Sequence, residues 1–279
     1  MLLTKHKTTD GMRWAMDGVF LPPSLNLGTL LEMPRGTMLQ VLIDLSKAES
    51  AIGVAVGEAK GEEEAPIDPT QEVWAAGVTY LRSRDARKVE STVADMYQKV
   101  YEAERPEIFL KSIGWRVAGN WMPIRIRKDS HWNVPEPELV LLINRHREII
   151  GYCAGNDVSS RDIEGENPLY LPQAKIYNGS CALGHGILLC EPSAIKDIPI
   201  RLKILRTNET IFKDEASTST MKRTLPELVE YLTRELDFPQ GVFLMTGTCL
   251  VPGGEFSLQP EDVVVIQVGD LIIENKVQV

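Results

Sequence analysis

The chain has 279 residues, of which 43% are hydrophobic and 25% are charged, a composition typical of a globular protein with one large core or two smaller ones. The formal net charge of −9 argues against nucleic acid as a partner, because no basic face is implied. The sequence shows no apolar run as long as a membrane span and no signal-peptide core at its start, so we expect a cytoplasmic protein with no membrane partner.

The first part of the chain is predicted to form a small N-terminal domain over residues 1–65. Residues 38–44 are apolar enough for a strand, and residues 51–56 form a second short apolar segment. Residues 61–69 are acidic, contain proline and lack periodicity, which is typical of a linker or an exposed loop. This linker separates the unit from a larger domain predicted over residues 70–279.

A strand followed by a helix opens the larger domain. Residues 73–78 have the composition of a strand, and apolar positions at helical spacing predict a helix from residue 85 to about residue 104. Arginines cluster at the turn between these elements. They are either solvated charges or carboxylate-binding groups, because guanidinium binds carboxylates in bidentate fashion. These arginines are Arg82, Arg84 and Arg87.

Most of the remaining sequence is predicted to form strands. Residues 139–143 and 149–153 flank a polar turn and fit a hairpin. The segment from Thr224 to Glu227 fits a capping box at the start of a helix. Further strands are predicted over residues 107–111, 186–190, 200–205, 263–268 and 271–274. The pattern favours an α+β fold that is mainly β.

Three carboxylates lie beside apolar segments in the middle of the chain. Glu136 and Glu138 are two residues apart, so on a strand both side chains point to the same face. Asp157 follows another apolar strand. The glutamates could form a solvated strand edge, but the flanking Pro135 and Pro137 fix their backbone, as a ligand pair requires. The trio therefore predicts a site for a hard divalent cation, for which Mg²⁺, Mn²⁺ and Ca²⁺ are the candidates.

Several motifs together resemble the fumarylacetoacetate hydrolase family. They are Pro-Glu-Pro-Glu-Leu at 135–139, Gly-Tyr-Cys-Ala-Gly-Asn-Asp-Val-Ser-Ser-Arg-Asp at 151–162, Lys175, Met-Thr-Gly-Thr at 245–248 and Gly-Val-Thr-Tyr at 77–80. The resemblance spans residues 72–279. It implies a mixed β-sandwich roll and a homodimer or homotetramer that acts on a small-molecule 2-oxo acid or 1,3-dicarbonyl compound.

The resemblance also implies roles for particular residues. Magnesium would be held by Glu136, Glu138 and Asp157, with Lys175 close to the metal and Thr248 on the substrate. One departure bears on the reaction. The hydrolases of this family carry His and Glu in the order Tyr-x-x-His-x-x-Glu after the early tyrosine, whereas this chain has Ser83 and Ala86. Neither residue can act as a general base near neutral pH.

A branch of the family without that histidine dehydrates 2-keto-3-deoxy sugar acids, and this chain resembles it at residues 80–84, 105–111 and 164–175. We therefore expect a lyase that converts a 2-keto-3-deoxypentonate to a 2,5-dioxo acid through a metal-stabilised enolate. The alternatives are a C–C bond hydrolase of an acylpyruvate or a fumarylacetoacetate-type diketone, and a non-catalytic module that binds sugar acids.

Dehydration of such a substrate needs a base for the C3 proton and an acid for the departing C4 hydroxyl. We assign the base to Lys175, because a nearby cation favours the neutral amine, and the acid to Glu107. The alternative for Lys175 is a salt bridge to the carboxylates, and the alternative for Glu107 is an ordinary charge at a strand end. The residues predicted to bind substrate are Arg82, Ser83, Arg84 and Thr248.

Overall fold

The structure is a computed structural model, and it describes residues 1–51, 61–82 and 94–279. Seventeen strands lie in this part of the chain. They are β1 (Leu2–Thr8), β2 (Gly11–Met16), β3 (Val19–Phe20), β4 (Glu62–Glu64), β5 (Glu72–Gly77), β6 (Glu107–Ile113), β7 (Ile124–Arg125), β8 (Asn133–Val134), β9 (Pro137–Ile143), β10 (Ile149–Asp157), β11 (Ser159–Ser160), β12 (Cys181–Leu189), β13 (Pro199–Arg206), β14 (Glu209–Ser217), β15 (Val242–Met245), β16 (Val263–Val268) and β17 (Leu271–Gln278).

Six α-helices accompany these strands in the described residues. They are α1 (Leu27–Leu31), α2 (Arg35–Ala51), α3 (Ala94–Glu102), α4 (Arg161–Glu166), α5 (Leu171–Lys175) and α6 (Leu225–Thr233). None of the described helices is both long enough and apolar enough to cross a membrane. The prediction of an α+β fold that is mainly β is confirmed.

Two large sheets build the molecule. A ten-stranded sheet has the order β3-β2-β1-β12-β10-β9-β15-β5-β6, with β4 paired to β1, and a five-stranded sheet has the order β14-β13-β16-β17-β7. Strands β16 and β17 lie against β10 and β12, so the sheets pack face to face over one hydrophobic core. The two-stranded pair β8 and β11 lies apart from both sheets.

The centre of the larger sheet consists of strands buried on both faces. Every residue of β9 and β10 is buried, which explains why their sequences are nearly continuous apolar runs. The two strands are antiparallel, with Gly155 opposite Glu138. By contrast, β16 alternates between buried and partly buried residues, because only one of its faces meets the core. The predicted hairpin of residues 139–143 and 149–153 is confirmed.

Two predictions for the first part of the chain are wrong. Part of the predicted linker or exposed loop 61–69 is strand β4 (Glu62–Glu64), which pairs with β1, and Ala65 and Ile67 after it are buried. Residues 38–44 belong to helix α2, not to a strand. Met38 and Leu42 are both fully buried, and four residues is the spacing that places side chains on one helix face. Gln40 donates a hydrogen bond to Asp44 across the same spacing at 2.9 Å. The short apolar run fits either period, and its helical context decides the structure.

The other predicted helices agree with the structure where it describes them. In α6, the Thr224 hydroxyl accepts a hydrogen bond from the Glu227 backbone N–H, and the Glu227 carboxylate accepts one from that of Thr224. The helix predicted for residues 85–104 ends as α3, and its first part, up to residue 93, lies outside the described residues. Most of the apolar segment 51–56 also lies outside them.

The N-terminal residues extend the larger sheet. Strand β1 pairs with β12 through Leu2 opposite Leu188 and Leu3 opposite Ile187. Strand β4 then pairs with the outer part of β1. The first strands of the chain therefore share a hydrogen-bonded sheet with the strands that carry the carboxylates. The division into domains 1–65 and 70–279 stays a prediction.

Candidate active site

The three predicted metal ligands lie together in the interior. Glu136, Glu138 and Asp157 are at most 2% exposed, and one carboxylate oxygen from each lies within 4.8 Å of the others. Glu136 precedes β9, Glu138 lies on it, and Asp157 ends β10. The Asp157 N–H donates to the Glu136 carbonyl at 3.0 Å, and the Glu136 N–H donates to the Asn156 side chain at 3.1 Å. Sheet pairing and these bonds hold the three side chains in place.

The trio has the electrostatics of a cation site. Burial, and then the charges of Asp157 and Glu136, raise the pKa of Glu138 well above its ordinary range. The Gly247 N–H donates to Glu138 Oε2 at 2.6 Å, which stabilises the charged form. Three buried carboxylates this close together repel one another, and a bound divalent cation would relieve that repulsion. An all-oxygen donor set suits Mg²⁺, Ca²⁺ or Mn²⁺.

Lys175 lies beside the carboxylates, as predicted. It is the last residue of α5 and is 1% exposed. Its Nζ is 2.7 Å from Glu136 Oε2 and 3.0 Å from Asp157 Oδ2. The salt bridge that was the alternative to a catalytic role is therefore present. A lysine held in this way is also placed next to any substrate that binds the cation.

Two further cations neutralise the cluster, and sequence reasoning gave neither of them a role. Lys111 Nζ is 2.5 Å from Asp157 Oδ1, and Arg161 Nη2 is 2.7 Å from Glu136 Oε1. Burial lowers the pKa of Lys111, and Asp157 opposes that shift. Both residues lie inside the segments that carried the family resemblance. The sequence alone gives them no role in the site, because a lone basic residue is most often exposed. In the structure both are at most 1% exposed.

The carboxylates and Lys175 face a small cavity of about 20 Å³. This volume is about that of one water molecule, so side chains around it must shift to admit a larger ligand. Glu107 and Thr248, both predicted site residues, also line the cavity. The Thr248 hydroxyl donates to the Leu250 carbonyl at 3.0 Å. A further acid, Glu164, lines it too, and its Oε2 accepts a hydrogen bond from Ser159 Oγ at 2.7 Å.

The backbone around Glu107 leaves room for that carboxylate. Gly77, at the end of β5, lies opposite Glu107, and a Cβ at residue 77 would collide with the Glu107 carboxylate. The next residue, Val78, has a φ of +53° and also lines the cavity. A β-branched residue is strongly disfavoured in that conformation, and such strain is often found at functional sites.

The arginine cluster is described only in part. Arg82 forms an ion pair with Asp214, and its side chain is 52% exposed. It is not among the described residues that line the cavity. Ser83 and Arg84, and also Ala86, lie outside the described residues. Substrate binding by Arg82, Ser83 and Arg84 stays a prediction.

Comparison with known proteins gives consistent matches. The family model for the C-terminal domain of fumarylacetoacetate hydrolase matches residues 72–278. The probable 2-keto-3-deoxyxylonate dehydratase of Haloferax volcanii is 47% identical over 200 residues, covering 71% of this chain and 68% of that protein. The 2-dehydro-3-deoxy-D-arabinonate dehydratase of Saccharolobus solfataricus is 42% identical over 214 residues, covering 74% and 70%.

Solved structures extend the similarity to the whole chain. A structure of 2-keto-3-deoxy-D-arabinonate dehydratase complexed with magnesium and 2,5-dioxopentanoate matches with a TM-score of 0.80 and 30% identity. The match covers 100% of this chain and 99% of the other. The N-terminal strands are thus included in the shared fold. The buried carboxylates, the motifs around them and these matches show that the chain belongs to the fumarylacetoacetate hydrolase family.

Proposed function

We propose that this protein is a magnesium-dependent hydro-lyase that dehydrates a 2-keto-3-deoxypentonate to 2,5-dioxopentanoate. The observation that carries the proposal is one cavity in which a carboxylate trio, a buried lysine and a separate glutamate face one another. The two relatives above 40% identity are both named as dehydratases of 2-keto-3-deoxy sugar acids. The structural relative with magnesium and 2,5-dioxopentanoate adds support for the metal and the product.

The residues present fit a magnesium ion. Glu136, Glu138 and Asp157 would hold it, since their oxygens converge, and burial together with their mutual repulsion raises the pKa of Glu138. Bound magnesium supplies positive charge for the carboxylate and keto oxygens of a 2-oxo acid, which makes the C3 protons of that substrate more acidic.

Two groups of this chain move the protons. Lys175, next to the ligands, takes a proton from C3. Glu107, which lines the same cavity, gives a proton to the C4 hydroxyl, which leaves as water. After this step the substrate has a double bond between C3 and C4. The Lys175 amine is then protonated, and the Glu107 carboxyl group is deprotonated.

The same two groups then complete the reaction. The Glu107 carboxylate takes a proton from C5, and Lys175 returns its proton to C3. The resulting enol rearranges to the C5 aldehyde, so the net change is the loss of one water molecule. Both residues return to their starting protonation states. The reaction needs a base and an acid close together, and this assignment takes both from one cavity.

A product assay tests the function. Purified protein with magnesium is incubated with a 2-keto-3-deoxypentonate or with an acylpyruvate, and the products are followed by NMR and mass spectrometry. We expect 2,5-dioxopentanoate from the first substrate and no pyruvate from the second. Release of pyruvate would favour the C–C hydrolase, and saturable binding with no product would favour the binding module. Glu107→Gln is the matched variant, and we expect it to bind magnesium but to form little product.

Assembly, location and the outer substrate contacts belong to the same proposal. We expect a homodimer or homotetramer in the cytoplasm, with Thr248 and the segment Arg82 to Arg84 contacting substrate. Thr248 lines the cavity, which supports its part of the assignment. Light scattering on the purified protein measures the assembly directly.

A further inference from the structure

Lys111 lies in strand β6 where the pairing of that strand is irregular. Leu110 is opposite Trp74 and Ser112 is opposite Val73, so Lys111 is the extra residue of a β-bulge. Bulges re-aim side chains and are frequent next to active sites. Leu110 is 37% exposed, whereas Lys111 is 0% exposed. The bulge therefore turns a lysine inward at a strand that also carries Glu107.

The ammonium group of Lys111 contacts three oxygen atoms. It donates to the carbonyl of Lys175 at 2.6 Å and to the carbonyl of Val158 at 3.0 Å. Its third partner is Asp157 Oδ1, at 2.5 Å. Two of these contacts are hydrogen bonds and the third is an ion pair, and two of the partners belong to residues at the centre of the proposed site.

We infer that Lys111 is a positioning residue that fixes the metal ligand Asp157 and the catalytic lysine relative to each other. This inference rests on the proposed function. By holding Oδ1, Lys111 sets the orientation of the Asp157 carboxylate and leaves Oδ2 toward Lys175. By holding the carbonyl of Lys175, it fixes the end of α5, and so the point from which the catalytic side chain extends.

A buried ion pair is costly as a device for stability alone. Replacing such a pair with apolar residues is often neutral or stabilising, because both charges must be removed from water. By contrast, groups that orient metal ligands typically change metal affinity or activity by 10–100-fold when they are removed. A role in stability and a role in positioning Asp157 therefore predict different results for a variant that lacks the Lys111 charge.

The test is a graded series at residue 111, with Ser180→Ala as the matched control. Lys111→Arg keeps the charge, Lys111→Gln keeps a donor, and Lys111→Met removes both. Ser180 Oγ donates to the same Lys175 carbonyl at 2.8 Å, and its other hydrogen-bond partner is the Tyr177 backbone. Its loss therefore weakens the hold on the Lys175 carbonyl and leaves the Lys111–Asp157 ion pair in place. Magnesium affinity is measured by calorimetry without substrate, and kcat and KM are measured on the folded fraction.

We expect the Gln and Met variants to bind magnesium about 10–100-fold more weakly and to lose at least about tenfold in kcat. The Arg variant should recover part of the magnesium affinity. Ser180→Ala should keep its magnesium affinity within about twofold. Lower thermal stability with unchanged magnesium affinity and kcat would overturn the inference, and so would a loss of kcat with unchanged magnesium affinity.

A measurement on the wild-type protein decides the matter if the Gln and Met variants do not fold. The ¹⁵N signal of the Lys111 ammonium should shift on magnesium addition, because Asp157 is its partner. An unchanged signal at saturating magnesium would overturn the inference. Since neither calorimetry nor this signal involves substrate, failure of the proposed dehydration would appear separately, in the product assay of the wild-type protein.

Discussion

Lys175 combines an ion pair with a proposed proton transfer, and the two roles separate when its charge is removed. In Lys175→Met, the three carboxylates that would hold magnesium remain. One of their three buried cationic partners is removed, while Lys111 and Arg161 stay in place. We expect magnesium affinity to be kept or increased. The variant lacks a base for C3, so kcat should fall by about 10²–10⁴-fold. Calorimetry and steady-state kinetics on the same preparation measure both quantities.

A surface lysine provides the control for that substitution. Lys276 pairs with Glu261, and its side chain is 51% exposed. Lys276→Met should leave kcat and magnesium affinity within about twofold of the wild type, because exposed ion pairs contribute little. Near-normal turnover in Lys175→Met would remove this lysine from the mechanism and leave it as a salt-bridge partner.

At the scale of elements, an ion pair joins the first strands of the chain to the central sheet. His185 of β12 forms an ion pair with Glu63 of β4, and Asn120 donates to the same carboxylate at 2.8 Å. The contact with Glu63 raises the pKa of His185 above its ordinary value of 6.5. Burial opposes ionisation of Glu63, but hydrogen bonds from His185 and Asn120 hold its pKa below 4.5.

These shifts predict the pH dependence of a His185→Gln variant. The contribution of His185 is fully present below pH 6.5 and is lost as the pH rises through its folded-state pKa, because that pKa is raised. The contribution of Glu63 is present above pH 4.5 and is lost as the pH falls, because its pKa is lowered. The variant should therefore be least stable relative to the wild type between these values.

The expected difference is small, about 0.5 kcal/mol, since the His185 side chain is partly exposed to solvent. It corresponds to a fall in Tm of about 1–2 °C between pH 4.5 and 6.5, which should narrow at higher pH. Burial lowers the pKa of His6, which interacts with Glu63, but His6 is present in both proteins and its titration largely cancels. A difference that grows above pH 8 would contradict the assignment.

The elements that could be predicted are those whose hydrophobic pattern fits only one type of secondary structure. The runs that became β9 and β10 are apolar, short and bounded by turn residues, and a strand is the simplest structure for them. Helix α2 could not be told from a strand, because residues 38–44 fit both periods over so short a span. Strand β14 was not predicted, since its residues are mostly exposed or partly exposed and carry little hydrophobic pattern.

In the candidate site, too, some residues could be predicted from the sequence and others could not. Glu136 and Glu138 carry a spacing that points to a common face, Asp157 follows a second apolar strand, and the structure brings the three together. Lys111 and Arg161 are isolated in the sequence, and only pairing between distant strands and helices places them against the carboxylates. Local pattern therefore predicts the carboxylate trio, and tertiary packing is needed to find its cationic partners.

At the scale of the whole molecule, the carboxylate trio is embedded in strands that belong to the common core, so its repulsion affects global stability. The pKa of Glu138 is raised, which means that the folded state disfavours its charged form at neutral pH. Binding of magnesium to the folded state should stabilise the protein by about 2.7 kcal/mol when the ion is at 100 times its Kd. That corresponds to a rise in Tm of about 5–10 °C, measured by calorimetry at pH 7 and reversed by EDTA.

Glu138→Gln separates this effect from other actions of magnesium. The variant keeps an oxygen that can accept the hydrogen bond from Gly247 and removes one charge from the trio. Without magnesium it should therefore melt at a higher temperature than the wild type in EDTA, and magnesium should raise its Tm little. Turnover should be low, because the ion is held by two carboxylates instead of three. A wild-type protein that keeps full activity in EDTA, with no change in Tm on magnesium addition, would contradict the metal site itself.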